Sequence, residues 1–446
     1  MLKMGLAALL ILLVALTGVY LFNKSPAKVQ EGSARGWVDV VENDQQANAS
    51  LRRLRSLPYV SYVEDEQNPE KNGVALYNDS LAFPGVNLYS SLWGDTGHLL
   101  DMHGNVLHEW KFSPIVRPRD ERLFAFKPGV SFLNVGRSGH LFRLQNGDLL
   151  KSNWEESNTI WHQEGTYHHE ICFDETGQIY TLNKEFHELN HRSLSVPFQD
   201  NNLVIFSNKG ELQKKISIGR LVQPQIPTEY LDAIWRLEPG SELAQKHRRK
   251  CGLENLYDIL HVNTVQILEN DTFVGKKGDL LICVRNINLI CTIDPDRERI
   301  VWMWENGQRN LDRPHYPTLL ANGNILIFDN GWFRGHSRVI EFNPQSKKIV
   351  WEYDGSPGNP FFTKRCGMAQ RLPNDNILIT ETAKGRVFEV TREGELVWDF
   401  YNPDKDREHP DLRASIYRHL RLTTTDLLEI DLPPDTRQKL SSLGYQ

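Results

Sequence analysis

The sequence predicts an all-β chain, a six-bladed β-propeller with an N-terminal membrane-anchor helix and a short helical insertion. Three observations predict the propeller. The first is composition: 40% of the 446 residues are apolar, with 11 tryptophans and 14 tyrosines against five methionines, and aromatic side chains pack well on pleated sheets. The second is texture. From about Gly73 onward, short β-branched or aromatic runs flank tight turns, as in HLFRLQNGDLLKSNW, ICFDETGQIYTLNKEF and LVIFSNKGELQKKISI, the pattern of successive hairpins. The third is a repeat. Val301-Trp302, Val350-Trp351 and Val397-Trp398 end similar strands, and Asn322-Gly323-Asn324 and Asn374-Asp375-Asn376 fill matching turns, all at a spacing of about 50 residues that four-stranded blades produce. Residues 73–402 then make roughly six blades. The GH…WD pattern of the commonest propeller repeat is absent.

In chain order, residues 1–22 come first. Gly5 to Phe22 is an uncharged apolar run between Lys3 and Lys24, about 18 residues long and near the lower limit for crossing a bilayer. No small-x-small cleavage site follows it, so an uncleaved anchor is expected rather than a removed signal segment. Residues 23–72 read as a linker with a short helix, stopped by Pro58 and followed by the solvated stretch EDEQNPEKN. The blades of residues 73–402 are interrupted at about 224–258. There, Leu231, Ile234 and Trp235 recur at helical spacing, giving either a surface insertion or a wall over a site. Residues 403–446 read as a helical tail, with short helices at Ala414–Leu420 and Thr436–Leu443.

A formal net charge of −6 excludes a nucleic-acid binder. Five cysteines are an odd number, so one thiol has no partner within the chain. Cys283 and Cys291 are symmetric about Ile287, which places them opposite each other across a hairpin or leaves them as two small apolar strand residues. No CxxC pair or zinc-type Cys/His spacing occurs, so neither metal nor cofactor is expected.

The innermost strand of every blade lines the central channel, so residues opening such strands converge. His261 and Asn263 open one, His315 the next, and His168 and His169 an earlier one; Arg285 lies at the turn after the second strand of the His261 blade. The three histidine positions are expected at equivalent points of their blades, whereas His98, His103, His108, His140, His162, His187, His191, His247, His336, His409 and His419 are expected at the surface. The Asp329-Asn330-Gly331 turn reads most simply as structural, or as positioning the neighbouring strand that carries His315. A guanidinium beside the imidazoles disfavours a cation and suits an anion. Neutral histidine with Arg, His and Asn donors around it describes a site that transfers a sulfuryl or a phosphoryl group.

The order and spacing of DILHVNTVQIL, LLICVRNINLICTIDPDRERIVWMWE, PHYPTLLANGNILIFDNG and QRLPNDNILITETAKGRVFEVTREGELVWDF resemble those of the bacterial aryl sulfotransferase family. The resemblance implies an exported six-bladed propeller that moves a sulfuryl group from a phenolic sulfate, without a nucleotide donor, to an acceptor phenol. It implies His315 as the histidine that becomes sulfated, His261, Asn263 and Arg285 as the groups holding the sulfuryl and bridging oxygens, and His169 or its neighbour His168 as the histidine from an earlier blade. The partners implied are a phenolic sulfate donor and a phenol acceptor, with the membrane reached through the N-terminal helix. The location implied is the bacterial inner membrane, with the catalytic domain in the periplasm. A homo-oligomer stays open. Two positions depart from the family pattern: Tyr316 after His315 either narrows the pocket or adds a phenol to it, and Asp375 replaces a turn glycine. The competing function is a membrane-anchored propeller for binding or assembly with a degenerate pocket. A quinone-dependent dehydrogenase would need vicinal cysteines and acidic calcium ligands, which the sequence lacks.

Overall fold

Six antiparallel sheets follow one another around a ring in a computed structural model that describes residues 62–64, 70–92, 94–116, 129–238, 241–253, 255–304, 310–356, 359–405 and 412–445. The expected anchor and the linker helix lie outside the described residues. Among the described residues, no helix is long and apolar enough to cross a membrane.

The second to fifth blades are each a run of four consecutive strands, opening with Val130–Val135, Tyr167–Phe173, Val262–Ile267 and Pro314–Leu319. The first and sixth blades are composite. Ile416–Leu422 is the innermost strand of the first blade, paired with Val86–Ser91, and Gly73–Tyr77 is added outside Leu396–Tyr401 of the sixth. Strands from both ends of the propeller thereby complete its first and last blades and close the ring.

This overturns the helix expected at Ala414–Leu420. Leu412–Ala414 and Ile416–Leu422 are strands, and a β-bulge separates Ile416 from His419. The bulge breaks strict alternation and buries Ile416 and His419 three residues apart, as a helix would; pairing with Val86–Ser91 decides the outcome. The later helix is present, as Pro434–Ser442.

The repeated residues hold blades to one another. Two of the repeat tryptophans, Trp351 and Trp398, sit in the outer strands of the fifth and sixth blades, and each indole N–H donates to a carbonyl of the next blade, Arg392 at 2.9 Å and Met102 at 2.9 Å; Trp110 of the first blade, outside the repeat, does the same to Trp154 at 2.7 Å. The Asn-rich turns repeat a bond as well as a sequence. Asn324 Nδ2 donates to Glu341 and Asn376 Nδ2 to Glu389, both at 2.6 Å. Asp375 keeps the left-handed conformation (φ 70°) that Gly323 has at the matching point (φ 81°), so the departure from glycine leaves the turn intact.

Second strands are buried on both faces because blades pack face to face. In Ile325–Asp329, Ile325 and Ile327 pack with Leu281, Cys283 and Ile290 of the fourth blade, while Leu326 and Phe328 pack with Ile377 and Ile379 of the sixth. The same period of two separates the cysteines. Cys283 pairs with Ile290 and Cys291 with Ile282, so they lie one step off register, face opposite neighbours and remain free thiols.

The insertion between the third and fourth blades forms helices α1 (Ile218–Val222), α2 (Thr228–Arg236) and α3 (Glu242–Cys251). Leu231 and Ile234 are buried as the spacing predicts, whereas Trp235 is exposed. Ser241 caps α3, accepting a bond from the Ala244 N–H, and Gly252 ends it at φ 61°. Arg313 donates to the carbonyls of Cys251 and Asn286. The end of α3 is thereby tied to the residue two before His315.

Candidate active site

Bulges shape the inner strands. Five of the six carry one, at Val130/Phe132, His168/Ile171, Val262/Thr264, His315/Thr318 and Ile416/His419; Met368–Arg371 of the sixth blade does not. The bulge residues His169 (φ 66°) and Tyr316 (φ 50°) take the left-handed conformation, as do His261 (φ 52°), Arg313 (φ 63°) and Cys366 (φ 57°) just before their strands. Such a backbone costs about 1 kcal/mol or more per non-glycine residue and concentrates where side chains must be aimed.

Ladder register gives each site residue an address. His168 and His315 share one position, opposite Leu182 and Phe328, and Met368 holds it in the sixth blade, opposite Thr380. His261 is not equivalent to them, contrary to expectation. It precedes the ladder, at the address of Arg313 and Cys366, and reaches the others because its φ turns it toward the axis. A second address, one residue beyond the ladder on the second strand, holds Lys184, Arg285, Asn330 and Thr382 in the third to sixth blades.

His315 is fixed by that second address. Its Nδ1 lies 2.5 Å from Asn330 Oδ1, and Asn330 Nδ2 donates to the carbonyls of Thr363 at 2.7 Å and Cys366 at 2.6 Å. With the amide nitrogen committed to two acceptors, the oxygen must face His315, so Nδ1 carries the proton and Nε2 the lone pair. Burial, assisted by the charge of Arg285, holds the His315 pKa well below the usual imidazole value. His315 is therefore neutral at pH 7. Asn330 was legible only as a turn residue, although it shares the address of Arg285.

His261 sits in a different electrostatic setting. Its Nδ1 is 2.6 Å from Asp258 Oδ2, which is also 3.4 Å from Lys184 Nζ, and all three residues are buried. Burial alone would raise the Asp258 pKa, but the charge of Lys184 and the bond to His261 outweigh it and hold the carboxyl far below its usual range. A permanent carboxylate on Nδ1 orients His261 and stabilises its imidazolium form. Neither Asp258 nor Lys184 was picked out from the sequence. Lys184 shares the address of Arg285, and Asp258 stands three residues before His261.

The His169 ring meets His261 edge to face, with centroids 5.0 Å apart, and its Nδ1 is hydrogen-bonded to His168 Nδ1. Burial is the main cause that depresses both pKa values strongly; Lys184 contributes next at His168, and His168 itself at His169. Asn263 spends one amide proton on the Pro314 carbonyl at 2.9 Å, linking neighbouring inner strands. Arg285 is fully buried, with Nη1 on Asn286 Oδ1 at 2.7 Å and its guanidinium 5.3 Å from the Trp332 ring centroid.

A small void is lined by His169, Asn263, His315, Tyr316, Tyr417 and Arg418, among others. Arg418 comes from the strand misread as helix. It donates to Glu170 at 2.7 Å and to the Tyr316 hydroxyl at 2.5 Å, so the Tyr316 phenol is engaged with a guanidinium. Burial pushes Glu170 up to about 7 against the opposing pull of Arg418. His98 and His419, expected at the surface, are buried instead, stacked on Tyr89 at 5.1 and 5.8 Å. Among the described residues, no group of three or more His, Cys, Asp and Glu side chains could hold a metal ion.

Fold and site together define a class: a β-propeller with neutral imidazoles beside a buried guanidinium, gathered where its inner strands begin. The chain belongs to the arylsulfotransferase (ASST) family, whose model matches residues 146–403, more than half of its length. No curated protein matches it. Among solved structures it is similar to a protein of unknown function from Bacteroides caccae, at 12% identity over 75% of this chain and 98% of that one, TM-score 0.43. It is also similar to a catalytically inactive virginiamycin B lyase from Staphylococcus aureus with quinupristin, at 12% identity over 61% and 69%, TM-score 0.34. A streptogramin B lyase is similar at 11% identity over 74% and 88%, TM-score 0.38.

Proposed function

We propose that the protein is an aryl sulfotransferase that moves a sulfuryl group from a phenolic sulfate ester to an acceptor phenol through a sulfohistidine at His315, with no nucleotide donor. The observation that carries this reading is the Asn330 lock on His315, which leaves a neutral imidazole with its Nε2 lone pair available beside Arg285. In the first step, Nε2 attacks sulfur, the S–N bond forms and the S–O(aryl) bond breaks. The leaving phenolate takes a proton from the imidazolium of His261, which the Asp258 carboxylate stabilises. In the second step, the acceptor hydroxyl gives its proton to His261 as its oxygen attacks sulfur, and the N–S bond breaks. Protons balance over the cycle, and His315 returns neutral.

Sulfate esters react through loose transition states whose charge stays on oxygen, so fixed donors and cations supply most of the catalysis. Arg285 and Asn263 hold the sulfuryl oxygens, and His169 approaches from the third blade with His168 behind it. Incubation with an aryl sulfate in the absence of acceptor, followed by peptide mass spectrometry, is expected to find a sulfonate on the peptide containing His315. Sulfate release without a labelled histidine would instead make the protein a hydrolase. We also propose that residues 1–22 anchor the chain in a bacterial inner membrane with the propeller in the periplasm. The propeller of spheroplasts is expected to be open to external protease; protection until lysis would reverse that orientation.

A further inference from the structure

Trp332, two residues beyond Asn330, gathers cations. The Lys364 Nζ lies 4.2 Å from its ring centroid, and the guanidinium carbons of Arg365 and Arg285 lie 5.1 and 5.3 Å from it. A ring attracts a cation through its quadrupole, but three cations around one ring are close neighbours that repel one another. A fourth comes from the insertion. Helix α3 ends against the same ring, since a Cβ on Gly252 would lie 3.2 Å from Trp332 Nε1. Arg248, in the last turn of α3, is near enough to Arg365 for their charges to interact.

Burial, and then the charges of Arg365 and Arg285, hold the Lys364 pKa below its usual value; burial, and then Arg365 and Arg249, do the same at Arg248. Carboxylates in these segments are engaged elsewhere. Asp312 accepts from the Phe333 and Arg334 N–H groups, Asp329 pairs with Arg334 and Arg338, and Glu381 accepts from the Phe362 N–H and pairs with Lys384. The cluster opens to solvent at Lys364, which is exposed, and closes at Arg285, which is fully buried. Cations brought together from separate segments complement an anion: a guanidinium offers paired donors to a tetrahedral oxyanion, and a lysine adds a point charge.

The segment that carries Lys364 and Arg365 also fixes His315. Asn330 Nδ2 donates to the carbonyls of Thr363 and Cys366, which flank the two cations, and Thr363 Oγ1 donates to the Arg365 carbonyl at 2.9 Å. Whatever steadies residues 363–366 therefore steadies the amide that keeps the His315 proton on Nδ1.

We propose that Lys364, Arg365 and Arg248 form a second anion site at Trp332, for a tetrahedral oxyanion such as phosphate or sulfate, and that its occupancy speeds sulfation of His315 by ordering residues 363–366. The site itself stands apart from the transfer reaction; its effect on rate rests on that reaction as proposed above. A bound anion relieves the repulsion among the cations. It favours the arrangement that holds Asn330 by as much as it binds that arrangement more tightly than others.

The test uses the full chain and inorganic phosphate, with chloride at matched ionic strength as the reference. Phosphate is expected to slow hydrogen exchange at residues 330–334 and 363–367, where chloride does not. Calorimetry should show binding that Lys364→Gln, a change at an exposed position, weakens about tenfold, and that His315→Asn leaves unaltered. In single turnovers with a nitrophenyl sulfate, phosphate should speed sulfation of His315 about threefold in the wild type and not in Lys364→Gln. Phosphate that competes with the aryl sulfate lies at the sulfuryl position and overturns the site. Equal protection in chloride, or equal affinity in Lys364→Gln and Arg248→Gln, overturns it too. Binding with an unchanged sulfation rate overturns the coupling through Asn330. Binding and protection with no sulfation of His315 at all would overturn the proposed reaction and leave the anion site standing.

Discussion

The fifth and sixth blades are built from nearly the same text, yet only one supplies a histidine to the site. Both have the Asn turn bonded to a glutamate, the outer-strand tryptophan bonded to the next blade, and a second strand buried on both faces. They differ at two addresses. Where the fifth has His315 and Asn330, the sixth has Met368 and Thr382, and Thr382 Oγ1 accepts a bond from the Gly367 N–H at 3.0 Å rather than holding an imidazole. The sixth inner strand also lacks the bulge. Repeat positions that face other blades carry stability, and the two addresses facing the axis are free to carry chemistry.

The largest effect that could break this comparison is at the first address. His315→Asn is expected to lower transfer more than about 1,000-fold, as loss of a nucleophile does, and to abolish the sulfonated peptide. Met368→Ala, at the same ladder position, should leave the sulfation rate within a few-fold. Because burial and Arg285 depress its pKa, wild-type His315 stays neutral as pH falls through 6.5. Its sulfation rate with a nitrophenyl sulfate, whose leaving group needs no acid, should therefore not drop across that value. A drop there in pre-steady-state rates would show an ordinary imidazole.

Next comes the second address. Arg285→Met should cost kcat about 100-fold to 1,000-fold. Asn330→Ala, which removes the tautomer lock, should cost roughly 10- to 100-fold in the sulfation step, with circular dichroism unchanged. Thr382→Ala should cost almost nothing; if it matches Asn330→Ala, the address is structural in both blades.

Asp258→Asn separates the half-reactions. It should slow transfer to acceptor phenols roughly 100-fold while leaving sulfation by nitrophenyl sulfate within a few-fold, measured by single-turnover kinetics in each direction. Equal losses in both would remove His261 from the proton-transfer role.

The smallest effect concerns Glu170. Its folded pKa is raised to about 7, so the native state binds the proton more tightly than the unfolded chain. The corresponding stability is present below about pH 4.5 and is lost as pH rises through 7. Relative to Glu170→Gln, the wild type should lose up to about 3 kcal/mol across that interval, read from denaturant unfolding at several pH values. A flat difference would mean that Glu170 is ionised throughout.

The blades were legible because Trp351 and Trp398, and the Asn turns of the same two blades, repeat the same inter-blade and turn contacts. His315, His261, Arg285, Asn263 and the His168–His169 pair were legible because they depart from that text. The other members of the site failed to stand out for separate reasons. Asn330 followed Asp329 and preceded Gly331, so turn chemistry explained it in full, and Lys184 sat inside a long strand with nothing to mark where the ladder ends. Arg418 was lost with its strand, since a bulge erased the alternation that would have revealed it. His261 stands before its ladder, at the address of Arg313 rather than of His315, an offset that the sequence spacing alone does not encode.

The last strand of the first blade has a consequence for the protein's biogenesis. Arg421 Nε reaches Asn87 Oδ1 at 2.7 Å across 334 residues of chain, and the same strand delivers Tyr417 and Arg418 to the void at His315. Such a contact forms late, after a large loop-closure cost. A chain still being made can pair the strands of its middle blades, but it cannot close the ring around His315. The histidines of the candidate site are thus kept from assembling with their full surroundings until Ile416–Leu422 has been made. A chain ending before Ile416 would carry every histidine of the candidate site and still have an open channel.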